Sequence, residues 1–581
     1  MLKQILTYVG EYKKESLRAI TTVMVEVMLE MSIPFLMALV IDRGVATGDR
    51  QSIFFYGGLM ILAAILALLL GMRSGRNSAL ASAGFAKNLR RTMFHKVQDF
   101  SHENIDEFSR ASLVSRLTTD VTNVQMMYQV GFLRILVRSP LMVLIPFTIV
   151  ATMNFQLALI FIAVVPPLGL VLIFFISKAQ KIFKKLFAHY DAVNNVVSEN
   201  LSAIRVVKAN ATEDVEISKF TKITTELFKD LIKAETLNSM NAPIFQVGMY
   251  SAILAISFLG AQLVVGGQML TGELMSVLTY TFQMLMGITM VAFGFSMYAG
   301  ARPAITRILE VIDADVTLKN PENPVTTVEN GTISFENVAF AYPGDGRKAL
   351  ANVNLVIPSG TKVGIIGASG ASKTTLISLL SRLYDVTDGR VLVGNRDVRD
   401  YDLKTLRRAV AVVLQKNVLF SGSIADNLRF GNEAATEADF VRVCTIAGAM
   451  EFIENLPGRF DTRIDELGTN LSGGQKQRLC IARALLTDPK VLILDDSTSA
   501  VDVTTEAEIF AGFDEFNPDA TVLVISARVS SIKAMDMIIV VDEHRIDAVG
   551  THDELVATSA IYRKIYEMQQ EMEVDATHEE R

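Results

Sequence analysis

The sequence is poor in cysteine. Its only two, Cys444 and Cys480, both lie in the more polar C-terminal half and have no metal-ligand spacing. This excludes a disulfide scaffold, suits a reducing compartment and leaves two inert buried thiols as the simplest reading. Basic charge is also scarce: 55 Lys and Arg stand against 62 Asp and Glu, for a net charge of −7. No electrostatic footprint for nucleic acid follows, and nucleic acid is not expected as a partner. A cleavable secretion signal is not expected either, because the first apolar span follows "MLKQILTYVGEYKKE" without a small-residue cleavage site. Apolar residues, by contrast, are in excess. A chain of 581 residues that is 50% hydrophobic is too long for one core and too apolar to be wholly soluble. Part of it is expected in lipid.

The N-terminal half divides into six apolar spans, each near the 20 or so residues that cross a bilayer. They lie at Ala19 to Ile41, Ile53 to Met72, about Val130 to Met153, Leu157 to Ile176, Ala242 to Gly266 and Leu274 to Gly300. The loops near 73–129 and 177–241 are long and basic, with Arg73, Arg76, Lys87, Arg90, Arg91 and Lys96 in one and Lys178, Lys181, Lys184 and Lys185 in the other. The excess of Lys and Arg on the cytoplasmic side places these loops and both termini in the cytoplasm. Both loops keep helical periodicity, so the membrane helices are expected to continue as cytoplasmic stalks. The expected organisation is a membrane α-helical bundle over 1–312, a linker over 313–331, an α/β nucleotide-binding domain with a helical subdomain over 332–570, and a polar tail over 571–581.

The chemistry lies in the C-terminal half. "TKVGIIG" reads as a strand, "KTTLISLLSRLY" as an amphipathic helix, and between them "GASGASKTT" matches a phosphate-binding loop except at Ser372, where the pattern has its last glycine. Backbone amides from Gly367, Ala368, Ser369, Gly370, Ala371 and Ser372 and the start of the helix converge on an anion in such a loop. Lys373 would neutralise phosphates, and Thr374, followed by Thr375, would offer its hydroxyl to magnesium. Further on, "VLILDD" places an apolar strand ahead of Asp495, a carboxylate suited to hold magnesium through water.

Between these elements stands "LSGGQKQR", and with it the chain resembles an exporter-type ABC half-transporter over essentially its whole length. The resemblance implies ATP and Mg2+ as cofactors and a multi-pass position in a bacterial cell membrane. It makes Tyr342 the aromatic that stacks on adenine, and Gln415 the loop glutamine near magnesium and the γ-phosphate. Ser472, Gly473, Gly474 and Gln475 become the signature, which completes the ATP site of a second chain, and Ser499 to Asp502 the loop linking the two sites. "SRLTTDV" and "ATEDVEISKF" are similar to the family's coupling segments.

Three positions depart from that family's pattern. Asp496 stands where the catalytic glutamate is expected, which sets the carboxylate back by about one bond length, roughly 1.5 Å. Ala527 stands in place of the switch histidine, and Ser372 in place of glycine. All three serve this chain's own ATP, while the signature that serves a partner is intact. The pattern resembles the degenerate subunit of heterodimeric multidrug exporters, with a homodimer of slow or disabled ATPase as the alternative. Phe282, Met286, Met290 and Phe293 recur on one helix face, either as packing or as an adaptable wall for hydrophobic or amphipathic compounds. Glu26 and Glu30 share a face one turn apart, and either pair with Arg134 or Arg138 or form a site for cationic amphiphiles. Lipid, peptide or siderophore cargo, and a regulatory subunit that binds ATP without pumping, remain open alternatives.

Overall fold

The computed structural model describes residues 1–343, 346–368, 370–496 and 503–579. They form two compact units, Met1–Gln98 with Arg110–Ala314, and Asp99–Ser109 with Asp315–Arg581.

The first unit is all helical. Among the described residues five helical runs are long and apolar enough to cross a bilayer: Leu2–Val45, Arg50–Asp99, Arg110–Met153, Glu213–Val265 and Thr271–Asp313. The expected span Leu157 to Ile176 falls within helix Phe155–Ser202. We label α1 Lys13–Leu39, α2 Arg50–Asp99, α3 His102–Phe108, α4 Leu136–Met153, α5 Phe155–Ser202, α6 Glu213–Ser239, α7 Asn241–Val265 and α8 Thr271–Asp313. Helix α8 packs along α4 through small residues. A Cβ at Gly287 would lie 3.1 Å from the Ser139 carbonyl, and one at Gly294 the same distance from Ile135, so the two glycines let the backbones approach. Above this seam Val150, Leu157, Phe161, Ile256 and Tyr280 form a buried apolar cluster.

The cytoplasmic stalk of this unit is tied by charge. Ahead of α4 the helix widens into π-helical turns at Arg116–Asp120 and Met127–Ile135. Buried Asp120 accepts two hydrogen bonds from Arg307 of α8, at 2.7 and 2.5 Å, and Arg116 reaches Glu310 at 2.9 Å.

"SRLTTDV" therefore sits inside the membrane unit. The segment before it, Asp99–Ser109, clusters instead with the second unit. Ser101 caps α3 in a reciprocal box with Asn104, and Ser109 closes it at φ 54°. From α3, Asp106 accepts a 2.7 Å hydrogen bond from the Tyr384 hydroxyl, and Asn104 donates to the Asp315 carbonyl.

The second unit is built on two sheets. One is four-stranded, with β1 Ile333–Ala341 between β2 Lys348–Ile357 and β4 Asp388–Val393, and β5 Arg396–Asp397 beside β4. The other runs β10-β9-β3-β8-β7-β6, from Arg545–Gly550, Met537–Asp542, Lys362–Gly367, Thr521–Ile525 and Val491–Asp495 to Val410–Val413. All its neighbours pair in parallel except β9 with β10. Every residue of β7 and β8 is buried, as expected of parallel strands covered on both faces. Helix α9, Lys373–Leu380, covers one face with Leu376, Ile377, Leu379 and Leu380. Helix α10, Gly473–Leu485, packs into a different cluster with Phe440, Val443 and Ile453. Helix α11 is Val503–Phe516, and the chain ends in α12, Ala560–Glu579.

Candidate nucleotide-binding site

Strands β3, β7 and β8 end together, and the parallel sheet puts the loops after them at one edge, where open α/β sheets hold ligands. Gly367 closes β3 against β9 so tightly that a Cβ would lie 2.0 Å from the Val541 carbonyl. Beyond it Ala368, Gly370 and Ala371 turn the chain, with Gly370 at φ 84° and the Ala371 amide donating to Ala368 O at 3.2 Å. Ser372 then begins α9 at φ 73°, ψ 26°, in the left-handed region. That conformation costs a serine about 1 kcal/mol more than glycine. Ser369 lies outside the described residues, as do Ser499 to Asp502.

The charged groups cluster below this turn. Lys373 Nζ donates to the Gly367 and Ala368 carbonyls at 2.8 and 2.9 Å, so the ammonium closes its own loop. Burial lowers its pKa, against the opposing pull of Asp495 and Asp496. Asp495, 3% exposed, accepts a 3.1 Å hydrogen bond from Thr374 Oγ1. Burial raises its pKa, the Thr374 bond and Lys373 oppose that, and Asp496 adds to it. Asp496 turns out of the strand at φ 49°, its amide donating to Ile525 O at 3.0 Å, and its carboxylate meets Gln415 Nε2 at 3.4 Å. Tyr342 reaches the same helix from the other side, its hydroxyl 3.0 Å from Thr375 Oγ1. The Tyr342 ring stands edge-on to Tyr384 at 5.4 Å, the tyrosine that bonds Asp106.

Ala527 lies two residues beyond Ile525, which pairs with Asp495. Its loop is clamped by Gln569 of α12, which donates to the Ala527 carbonyl and accepts from the Val529 amide, both at 2.8 Å. Ser472 caps α10 in a reciprocal box with Gln475, whose amide donates to Ser472 Oγ at 3.2 Å, and Gly473 and Gly474 form the exposed first turn. The structure thus brings Gln415, Lys373, Thr374, Asp495 and Asp496 into one constellation, with Tyr342 at its flank, and puts the signature on a separate core. A buried carboxylate beside a hydroxyl, under a loop of amides and a lysine, fits a magnesium-bound triphosphate: hard oxygen donors for the cation, positive groups for the phosphates.

In the membrane unit Arg138 pairs with both carboxylates, with Glu26 Oε1 at 2.9 Å and with Glu30. Arg134 is exposed. The apolar face of α8 is divided: Phe282, Met286 and Phe293 are exposed on the chain, while Met290 packs on Val23, Val27 and Met142. Sequence reasoning missed three residues at the nucleotide unit, Tyr384, Gln569 and His544. The "SHEN" capping box could have located α3 and hence Asp106, but no local signal marks their partners on other elements.

A helical membrane unit and a parallel-sheet unit with this phosphate loop and signature helix define an ATP-binding membrane transporter. Residues 17–288 match the ABC transporter transmembrane region and residues 350–499 the ABC transporter domain. The uncharacterised ABC transporter ATP-binding protein YfiB of Bacillus subtilis is 32% identical over 98% of both chains. The putative multidrug export ATP-binding/permease protein YgaD of Bacillus subtilis is 28% identical, over 98% of this chain and 99% of its own. The ATP-dependent lipid A-core flippase of Vibrio cholerae is 30% identical, over 98% and 97%. The solved structure of a bacterial Atm1-family ABC exporter with ATP bound superposes with a TM-score of 0.81, at 24% identity over 96% of this chain and 99% of that one. The chain belongs to the ABC transporter family. It is an exporter-type half-transporter, a transmembrane domain joined to a nucleotide-binding domain, and a multi-pass protein of the cell membrane.

Proposed function

We propose that this chain is the ATP-holding half of a heterodimeric exporter of hydrophobic or amphipathic compounds, with both termini in the cytoplasm. The observation that carries it is the sorting of departures: Ser372 directly precedes Lys373, Asp496 directly follows Asp495, and Ala527 lies two residues beyond Ile525, the strand partner of Asp495, while Ser472 to Gln475 keep an unbroken cap on α10. Lys373 and the α9 amides would bind phosphate oxygens, Thr374 and Asp495 would hold magnesium with Gln415 nearby, and Tyr342 would stack on adenine. The magnesium supplies neutralisation of phosphate charge. Asp496 stands at the water-orienting position with a side chain one methylene shorter than glutamate, and it accepts from Gln415 Nε2 at 3.4 Å. Ala527 offers no donor beyond its backbone. This site therefore binds and scarcely turns over, and Ser472 with the glycines after it completes the partner's hydrolytic site.

Exposed Phe282, Met286 and Phe293 support an adaptable apolar wall, in keeping with the name of YgaD. The identity to a lipid A-core flippase favours a second reading, an amphipathic lipid as cargo. The test is ATP hydrolysis by the assembled pair in nanodiscs, titrated with hydrophobic cations, neutral drugs and lipid A. Stimulation by the drugs supports the first reading, stimulation by lipid A alone the second, and a rate that none of them alters contradicts both.

A further inference from the structure

Two residues 172 positions apart share an uncommon backbone conformation and touch each other. Ser372 at φ 73° and His544 at φ 66° are both left-handed, and Ser372 Oγ lies 2.9 Å from His544 Nδ1. His544 and Glu543, at φ 41°, are the central residues of the β9–β10 hairpin, closed by the Asp542–Arg545 pair. A two-residue hairpin with positive φ at both centres is ordinarily filled by Asn-Gly or Asp-Gly, because other side chains are strained there. Here a glutamate and a histidine occupy it. The platform is fixed, because the His544 carbonyl accepts the Ala351 amide of β2 at 3.0 Å. A turn that would fold better with glycine thus presents an imidazole to a residue of the phosphate loop that would also fold better as glycine.

We infer that His544 is a positioning residue of the phosphate loop: its imidazole engages the Ser372 hydroxyl and holds that serine left-handed, so that the loop still presents its amides to a nucleoside triphosphate. The inference rests on reading this loop as the chain's ATP site. It makes Ser372 part of a matched pair, and it separates two quantities that a purely structural hairpin would move together. Replacing His544 by glycine relieves the turn but releases Ser372.

The experiment is binding of a fluorescent N-methylanthraniloyl ATP to the full-length chain in nanodiscs, alongside thermal unfolding of the same samples. His544→Gly is expected to raise the melting temperature and weaken nucleotide binding about fivefold, the size of one lost hydrogen bond. Adding Ser372→Gly is expected to restore wild-type affinity, and His544→Asn, which tolerates this backbone and can still bond the hydroxyl, to keep most of it. Unchanged affinity in His544→Gly, or a loss that Ser372→Gly does not restore, overturns the inference while leaving the site intact. A wild-type chain that binds no nucleotide overturns the inference and the reading of the loop together.

Discussion

Asp495 is a carboxylate set at the end of a fully buried strand, and its environment fixes what its replacement should do. Because burial raises its pKa, the folded protein keeps a proton that the unfolded chain has already lost as pH climbs through that window. Stability contributed in acid therefore falls as pH rises, and at neutral pH the ionised group costs stability that a bound cation would return. Asp495→Asn is expected to raise the melting temperature of the ligand-free chain at pH 7 and to flatten its fall from pH 4 upward. Magnesium-dependent nucleotide binding should be lost in the same variant. Calorimetry across pH, paired with binding, checks both. One residue along, Asp496→Glu combined with Ala527→His restores a carboxylate of full reach and a donor at the switch position. Positioned acid–base groups are worth factors of about 10² to 10⁴, so phosphate release by the chain should rise by about 10²-fold.

At the scale of elements, the stalk depends on the clasp between Arg307 of α8 and Asp120 of the π-helical turn. Asp120 is 2% exposed, so Arg307→Ala strands a buried carboxylate and should destabilise the membrane unit by about 3 kcal/mol. Asp120→Asn in the same background should recover most of it, and thermal unfolding in nanodiscs would show both. How legible these elements are in the sequence depends on the range of the interactions that define them. The strand, loop and helix from Lys362 to Leu380 follow from local pattern, and so does the left-handed demand at Ser372, since a glycine position in a phosphate loop is a backbone requirement. The break at α3 is harder to read, because only the Ser101–Asn104 cap sets this helix apart from its helical neighbours. The pairing of Arg138 with both Glu26 and Glu30 was legible as one of two options, because spacing on α1 fixes the face but not the partner helix.

For the whole molecule, exporters of this family work as dimers, and the proposed role of the α10 cap requires a second chain. The two-part organisation was readable from the shift between apolar spans and short strands. His544, Tyr384 and Gln569 are not readable, because each contacts a segment far away in sequence that only the fold brings near. The proposed function has this chain bind ATP and rely on a different chain for hydrolysis. The most direct test is phosphate release in nanodiscs at saturating magnesium and ATP, measured for the purified chain alone and for the chain assembled with its partner half-transporter. The chain alone is expected to hold nucleotide and show background hydrolysis, and the pair to turn over rapidly until this chain's signature is disrupted with Ser472→Arg. Turnover by the chain alone comparable to that of the pair would contradict it.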